Sequence, residues 1–469
     1  MPAGLPVTDG LADAGSAGRA ADPSIIVEVS GTPPPEAVTD RATLRRAIAA
    51  SALGNATEWF DYGIYAYGVT YISAALFPGD VDEAVLFALA TFAISFLVRP
   101  LGGLFWGPLG DRLGRKSVLA FTILLMSGAT LCVGLIPDYA SIGFWAPTLL
   151  ILLRMVQGFS TGGEYGGAAT FMAEYAPDDR RGFYGSFLEF GTLAGFSFGA
   201  FLMLAFSLLL GDAAMHEWGW RIPFLIAAPM GLIGMYLRSR MEDTPIFREE
   251  RHGGGRTGTP RLSTLVRRHW RPMLVVAGLV VALNVVNYTL LSYMPTYLQR
   301  RIGLSPDQAL IVPIIGMLFM MLFLPFAGSL SDRIGRRALW AFSLTGLLLA
   351  VVPLYMLMAT GLAGAIAGFV LLGLLYVPQL ATISATFPAL FPTPVRFAGF
   401  AIAYNISTSL FGGTAPAMGS ALITMTGNEL MPAFYMMAAC VIGLVTLRFM
   451  PETAGRSLRY DPFSDEQRV

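Results

Sequence analysis

Long apolar runs separated by short polar turns dominate the chain from about residue 45 to residue 450. A helix needs about 20 consecutive apolar residues to cross the hydrocarbon core of a bilayer. Twelve segments meet this length and predict twelve transmembrane helices, which we number as spans 1 to 12. Their predicted ranges are 45–74, 83–110, 116–136, 145–174, 182–210, 219–239, 271–299, 306–331, 337–359, 362–391, 395–425 and 429–450.

The composition agrees with a membrane protein. Hydrophobic residues make up 55% of the 469 positions and charged residues only 13%, whereas soluble domains carry about 25% charged residues. The two cysteines lie far apart in apolar spans, and the three histidines lie in or near loops. We therefore expect no disulfide framework, no metal site and no cofactor.

The basic residues predict the topology. Most of the 31 basic residues fall in the termini and in the loops after even-numbered spans. Because cytoplasmic loops are enriched in Lys and Arg, both termini are predicted to be cytoplasmic, in a multi-pass protein of the cell membrane. The predicted regions are a disordered cytoplasmic tail (1–40), a six-helix bundle (41–240), a cytoplasmic linker (241–270), a second six-helix bundle (271–452) and a cytoplasmic tail (453–469).

The two bundles repeat each other in sequence. "GPLGDRLGRK" (107–116) follows span 2, and "GSLSDRIGRR" (328–337) follows span 8. "PDDRR" (177–181) follows span 4, and "PTPVR" (392–396) follows span 10. Matched landmarks at similar offsets indicate a parallel repeat of six helices, a layout found in secondary transporters.

These motifs resemble the signature of the major facilitator superfamily. Within it, "GNATEWFDYG", "FLVRPLGG", "RMVQGFSTGGEYGGA", "EYAPDDRRG" and "WGWRIPF" resemble the metabolite:proton symporter family over about residues 41–460. The resemblance implies an all-α integral membrane protein with twelve transmembrane helices in two six-helix pseudo-repeats. It also implies a conformational latch at the loop motifs, formed by Gly107, Asp111, Arg112, Arg115, Asp332, Arg333 and Arg336.

Span 1 carries two acids inside an apolar segment. Residues three and four apart share a helix face, so Asn55, Glu58, Asp61, Tyr62 and Tyr65 form one polar stripe. A charge facing lipid at the bilayer centre costs at least about 2.5–3.5 kcal/mol, and intramembrane ionisable residues usually mark functional sites. We therefore expect the stripe to face the bundle interior or a water-filled cavity.

Two other spans of the first half carry charged and polar residues that can pair with the acids of span 1. Span 2 carries Arg99, and span 4 carries Arg154, Gln157 and Glu164. Span 4 also carries glycines every four residues from Gly158, a spacing that favours close helix packing. Three deep acids exceed two deep arginines by one, and a buried carboxyl can neutralise itself by taking a proton. The predicted proton-coupling residues are Glu58, Asp61 and Glu164.

The second half has no deep acid. Span 7 carries Asn284, Asn287 and Tyr288 on one face, which suits either substrate contact or hydrogen bonding between helices. The predicted substrate-binding residues of both halves are Asn55, Trp59, Tyr62, Tyr65, Arg99, Arg154, Gln157, Asn284, Asn287 and Tyr288.

The function implied by the resemblance is proton-coupled symport that imports a small polar metabolite by alternating access. A zwitterionic osmolyte such as proline or glycine betaine suits carboxylates, arginines and aromatic faces. A carboxylate such as 2-oxoglutarate, citrate or shikimate is the alternative, held by the two arginines. A membrane-embedded enzyme has less support, since HExxH and Walker A motifs are absent from the sequence. The expected partners are the substrate, protons and lipid, without nucleic acid, and a monomer is expected to function.

Overall fold

The computed structural model describes residues 41–113, 115–162, 164–239, 262–392, 395–458 and 463. The predicted tail 1–40 and most of the predicted linker 241–270 and tail 453–469 lie outside these residues. The side chains of 107, 108, 110–117, 119 and 120 are also outside the description. Four predicted latch residues therefore receive no side-chain account: Gly107, Asp111, Arg112 and Arg115.

The helices of the first half follow the predicted spans 1 to 6. Span 1 is interrupted at Gly68, and the described part of span 4 forms two helices, of which the first ends at Thr161 and the second begins at Glu164. The helices are Arg41–Tyr67 and Val69–Leu76 (span 1), Val81–Leu113 (2), Arg115–Gly134 (3), Trp145–Thr161 and Glu164–Tyr175 (4), Arg181–Leu210 (5) and Arg221–Ser239 (6). Short helical turns in the connections are Tyr139–Ile142, Asp178–Arg180, Asp212–Ala214 and Met215–Gly219.

The helices of the second half follow spans 7 to 12. Spans 7 and 11 contain π-helical turns, which widen a helix locally and often occur at functional sites. The helices are Leu262–Tyr288, Thr289–Tyr293, Met294–Tyr297 and Leu298–Ile302 (span 7), Pro306–Ile334 (8), Arg336–Met358 (9), Leu362–Ala381 and Ile383–Thr386 (10), Arg396–Ser407, Thr408–Gly412 and Ala415–Thr426 (11) and Met431–Leu447 (12). A short turn, Pro388–Leu390, precedes span 11.

Glycines bring the backbones of spans 2 and 4 into direct contact. A Cβ atom on Gly158 would lie 1.7 Å from the carbonyl oxygen of Ser95, and one on Gly162 would lie 2.0 Å from that of Arg99. In return, a Cβ on Gly102 would lie 2.0 Å from the carbonyl oxygen of Phe159. The close packing predicted from the glycine spacing is confirmed, and it places Arg99 beside the polar side chains of span 4.

The two halves contact each other near the middle of the molecule. The Ser409 hydroxyl of span 11 donates to the carbonyl oxygen of Phe96 in span 2 at 2.5 Å. Asn405 Nδ2, also in span 11, donates to the carbonyl oxygen of Gly162 at 2.9 Å. Span 11 is therefore held against the same glycine-rich junction that joins spans 2 and 4.

The halves are also bridged at both ends. At one end, where span 5 begins and span 8 finishes, Gly182 and Gly328 pack so closely that a Cβ on either would lie 2.4 Å from the other's carbonyl oxygen. We call this the arginine-rich end because Arg181, Arg336 and Arg396 are buried there. At the opposite end, an Arg300–Asp82 ion pair of 2.6 Å joins spans 7 and 2. Bridges at both ends enclose the centre of the molecule.

The glycine contact predicts a position-dependent effect of one methyl group. We expect Gly158→Ala to lower the free energy of unfolding by about 1–3 kcal/mol, because overpacking forces two backbones apart. Gly128→Ala is the matched control, since a Cβ on Gly128 meets no atom within 4 Å and alanine favours the helix by about 0.5–1 kcal/mol. Thermal unfolding in detergent, followed by intrinsic fluorescence, measures both. Equal melting temperatures for the two variants would refute the contact.

Candidate functional site

Glu58 and Arg99 form a buried ion pair between spans 1 and 2. Arg99 Nη2 donates directly to Glu58 Oε1, and both side chains are almost fully shielded from solvent. Arg99 Nε donates to the Thr161 hydroxyl of span 4 at 3.0 Å. The guanidinium carbon also lies 4.9 Å and 5.2 Å from the ring centroids of Phe96 and Tyr62. Arg99 therefore joins three spans and has contacts besides Glu58.

Asp61 has different surroundings, although it lies less than one helical turn from Glu58. The Thr130 hydroxyl of span 3 donates to Asp61 Oδ2 at 2.9 Å. Gln157 Nε2 donates to the Thr130 hydroxyl at 2.5 Å, and Arg154 Nη1 donates to Gln157 Oε1 at 2.8 Å. Asp61 is thus hydrogen-bonded to Arg154 through two neutral side chains and lies within its electrostatic influence, but the residues that the structure describes give it no ion pair.

Arg154 is held by an aromatic ring. Its guanidinium carbon lies 3.4 Å from the ring centroid of Tyr65, whose hydroxyl donates to the carbonyl oxygen of Ala88 at 2.8 Å. Within the described part of the chain, Arg154 Nε and Nη2 have no hydrogen-bond acceptor. A cation over a ring in a desolvated site is stabilised by about 2 kcal/mol, which keeps Arg154 charged and in place.

A small cavity lies beside this network. Its lining includes Glu58 and Thr57 of span 1, Ser127 of span 3, and Glu164. Glu58 precedes Asp61 by three residues, and Ser127 precedes Thr130 by three, so each pair shares a helix face. The cavity is therefore about one helical turn from the Asp61–Thr130 hydrogen bond, towards the arginine-rich end, and it brings two of the three predicted proton-coupling acids together.

Asn55 and Trp59 join spans 1 and 5. Asn55 Nδ2 donates to the carbonyl oxygen of Leu188 at 2.9 Å and to the Thr192 hydroxyl at 2.6 Å. Asn55 Oδ1 accepts from Trp59 Nε1 at 3.1 Å. Both polar atoms of Asn55 are thus engaged, so in this conformation the side chain holds two helices together.

Tyr288 brings the second half to the aromatic residues of span 1. Its ring centroid lies 6.1 Å from that of Trp59 and 5.1 Å from that of Phe96. Its hydroxyl is buried and, within the described residues, has no hydrogen-bond partner. Tyr62 lies between, 5.6 Å from Trp59 and 4.9 Å from Phe96. The predicted aromatic residues of both halves therefore meet in one cluster.

The two span 7 amides hydrogen-bond within the second half. Asn284 Nδ2 donates to the Thr408 hydroxyl of span 11 at 2.8 Å. Asn287 Oδ1 accepts from the Tyr376 hydroxyl of span 10 at 3.0 Å. The two roles considered for Asn284 and Asn287 were substrate contact and hydrogen bonding between helices. In this conformation they make hydrogen bonds between helices.

Glu189 of span 5 is a further buried acid, and the sequence pattern assigned it no role. It is 2% exposed, and its Oε1 accepts directly from the Tyr165 hydroxyl of span 4. The Tyr165 ring stacks on Tyr404 of span 11, with centroids 4.6 Å apart and planes inclined by 15°. Glu189 therefore lies close to the interface between the halves. The sequence contains one signal of its importance, since Glu189 is an acid within the long apolar run 181–210.

In the second half, the predicted latch residue Asp332 connects span 8 to span 5. Its carboxylate accepts from the backbone N–H groups of Gly182 at 2.8 Å and Phe183 at 2.9 Å. It also pairs with Arg336 at 2.8 Å. Negative charge at a helix N-terminus is stabilising, so Asp332 caps a helix of the opposite half. Arg333, by contrast, is exposed.

The segment after span 12 makes further hydrogen bonds at the arginine-rich end. Arg181 Nη1 donates to the carbonyl oxygen of Arg456 at 3.1 Å, and Arg396 Nη2 donates to that of Leu458. Burial raises the pKa of the Glu452 carboxyl, but hydrogen bonds from four backbone N–H groups outweigh this and hold the pKa below its usual range. The four N–H groups are those of Arg336, Arg337, Thr453 and Ala454.

The chain is similar to known transporters over most of its length. The family model described as "Sugar (and other) transporter" matches residues 47–461. The proline/betaine transporter of Salmonella typhimurium is 44% identical over 432 residues, which cover 90% of this chain and 86% of the relative. The ectoine/proline transporter ProP of Corynebacterium glutamicum is 42% identical over 454 residues, covering 93% and 88% of the two chains.

Solved structures give the same fold. The proton:xylose symporter XylE, bound to 6-bromo-6-deoxy-D-glucose, superimposes with a TM-score of 0.70 at 19% identity, covering 90% of this chain and 98% of that one. A partially occluded, inward-open form of XylE from E. coli superimposes with a TM-score of 0.67. The predicted twelve-helix architecture in two six-helix repeats is thus confirmed. The chain belongs to the sugar (and other) transporter family of the major facilitator superfamily, and it is a multi-pass membrane protein.

Proposed function

We propose that the protein is a proton-coupled symporter that imports a zwitterionic osmolyte, such as glycine betaine or proline, by alternating access. The names of relatives that are 37–44% identical to it support the substrate class. The observation that carries the proposal is a pair of differently held acids on one helix. Glu58 is bound to Arg99, whereas Asp61 is hydrogen-bonded to the neutral Thr130.

Asp61 is the proposed proton carrier. Burying a carboxylate without a cation beside it is costly, and binding a proton removes much of that cost. Protonation of Asp61 leaves the Glu58–Arg99 pair intact, whereas protonation of Glu58 would remove the counter-charge of Arg99. Glu164, at the cavity one turn away, is proposed to pass the proton to and from Asp61, while Glu58 stays charged beside Arg99.

Arg99 is the proposed site for the substrate carboxylate. Tyr288 and Tyr404 of the second half lie within electrostatic range of its guanidinium group, so Arg99 faces the space where the halves meet. Arg154 is bound within the first half, to Tyr65 and Gln157, and its proposed role is to position them. Trp59, Tyr62 and Tyr288 offer ring faces to an ammonium group. Asn55, Asn284 and Asn287 remain proposed contacts, available once the halves separate.

The orientation and assembly of the protein are part of the proposal. The arginine-rich end is proposed to face the cytoplasm, because Lys and Arg favour that side. Both termini then lie in the cytoplasm of a cell whose plasma membrane holds the protein. Alternating access would open the bridges at one end while those at the other remain closed. Two six-helix bundles, 41–240 and 271–452, are proposed as the moving bodies, with one chain as the functional unit and no enzymatic step.

Amide substitutions in span 1 test the proton site. We expect Asp61→Asn to abolish accumulation driven by a pH gradient, while exchange of labelled substrate down its own gradient continues. The amide resembles the protonated acid permanently, so reorientation needs no proton. Uptake by everted and right-side-out vesicles, with and without an imposed pH gradient, separates the two activities.

Glu58→Gln is the matched variant, because it removes the counter-charge of Arg99 and not the proton site. We expect weaker substrate binding in this variant, with the remaining uptake still driven by a pH gradient. Gradient-driven accumulation that survives Asp61→Asn and disappears in Glu58→Gln would move the proton site to Glu58. Survival in both variants would make Glu164 the next candidate.

The Asp332 cap predicts how one charge controls opening at the arginine-rich end. Asp332→Asn weakens a contact worth about 1–2 kcal/mol, so spans 5 and 8 should separate more often. A cysteine at Ser186, whose side chain packs against Gly328, reports this in a chain whose two native cysteines are replaced. We expect thiol labelling to accelerate about 5- to 30-fold. Arg333→Gln changes an exposed charge one residue away and should leave the labelling rate unchanged. A rate unaffected by Asp332→Asn would show that the cap does not hold the helices together.

A further inference from the structure

Glu189 is a buried acid to which the proposed transport cycle gives no task. The described residues provide it with hydrogen bonds from the Tyr165 and Thr192 hydroxyl groups and with no ion pair. The neighbouring residue Leu188 accepts from Asn55 through its carbonyl oxygen, so Glu189 lies at the depth of Asn55, about one helical turn from Glu58. A buried carboxyl group without an ion-paired cation is costly for folding, which points to a functional role.

Aromatic rings of both halves surround this acid. Tyr165 belongs to the first half and stacks on Tyr404 of the second. Tyr376 and Tyr404 lie within electrostatic range of the Glu189 carboxylate. A carboxylate beside tyrosine rings suits an ammonium group, because the rings attract the cation through their faces and the acid neutralises its charge.

Tyr404 also connects Glu189 to the proposed carboxylate site. Tyr404 is near enough to both Arg99 and Glu189 to be influenced by the charge of each. A fixed cation and a fixed anion near one ring match the two charges of a zwitterion. Both charges belong to the first half, and the ring belongs to the second, so a bound zwitterion would contact both halves.

We propose that Glu189, with the rings of Tyr165 and Tyr404, forms the subsite for the ammonium end of the zwitterionic substrate, while Arg99 receives its carboxylate. This assignment rests on the proposed function. Substrate binding would replace part of the Tyr165–Tyr404 stack and draw the second half onto the ligand. The subsite selects for positive charge and tolerates a quaternary ammonium group, because neither the carboxylate nor the rings require an N–H donor.

A pair of isosteric ligands tests the subsite separately from transport. Glycine betaine and 3,3-dimethylbutanoate have the same shape and carboxylate, but a carbon atom replaces the quaternary nitrogen in the second. Binding to the purified full-length protein is measured by competition with radiolabelled glycine betaine. We expect the wild-type protein to prefer glycine betaine by about tenfold or more. Glu189→Gln should reduce this preference to about twofold or less, chiefly by weakening glycine betaine binding.

Further variants separate the ring from its hydroxyl and guard against misfolding. Tyr165→Phe retains the ring and should keep the preference, whereas Tyr165→Leu should lose most of it. Asp307→Asn, an acid outside the proposed sites that is hydrogen-bonded to Ser207, is the control for changing an acid to its amide and should also keep it. Melting temperatures of all variants are recorded alongside. If Glu189→Gln does not fold, the comparison of Tyr165→Phe with Tyr165→Leu tests the subsite instead.

Two results would overturn the assignment in distinguishable ways. If the wild-type protein prefers glycine betaine and folded Glu189→Gln prefers it equally, the ammonium subsite is elsewhere, while the proposed function stands. The same holds if Tyr165→Leu retains the full preference. If the wild-type protein binds neither ligand, the proposed substrate class is wrong and the subsite fails with it.

Discussion

The burial of carboxyl groups without neighbouring cations is the constraint on which this structure depends. Lipid offers no water to a buried charge, so each acid inside the bundle needs a counter-ion, a proton or a ligand. Glu58 has Arg99. Within the described residues, Asp61 and Glu189 are hydrogen-bonded to hydroxyl groups and make no ion pair. The protein holds two acids whose charge lacks an ion-paired partner until something else binds, and a proton and a cationic substrate are the two available candidates.

The packing of the first half maintains this arrangement. Backbone contact at Gly158 and Gly162 fixes spans 2 and 4 so closely that Arg99, Thr161 and their neighbours cannot move independently. The charged groups are thereby confined to one rigid bundle. The second half contributes neutral rings and amides, which can approach or leave without breaking an ion pair at the centre. Ion pairs and caps between the halves lie instead at the two ends, as with Arg300–Asp82 and Asp332 at span 5. Such a division suits a cycle in which the ends open alternately.

Much of the architecture could be predicted from the sequence. A hydrophobic run of about 20 residues commonly forms a membrane-spanning helix, and the repeated loop motifs indicate two bundles of six. The polar stripe of span 1 is likewise visible in the helical periodicity. Periodicity shows which residues share a face, but not which helix lies opposite. It therefore could not show that Asp61 meets Thr130 while Glu58 meets Arg99, or that both polar atoms of Asn55 are engaged with spans 1 and 5. Its sequence position places Glu189 nearer the cytoplasmic end than the three deep acids, and its significance depends on Tyr404, which is distant in sequence and close in space.

Infrared difference spectroscopy tests the central claim most directly, because a protonated carboxylic acid absorbs at a frequency separate from that of a carboxylate. Spectra of the protein in lipid are recorded across a pH titration with glycine betaine bound. The account predicts a carboxylic-acid band in the wild-type protein that disappears as the pH rises, is absent in Asp61→Asn, and remains in Glu189→Gln. A band that persists unchanged in Asp61→Asn would contradict the account, since the exchangeable proton would then reside on another group.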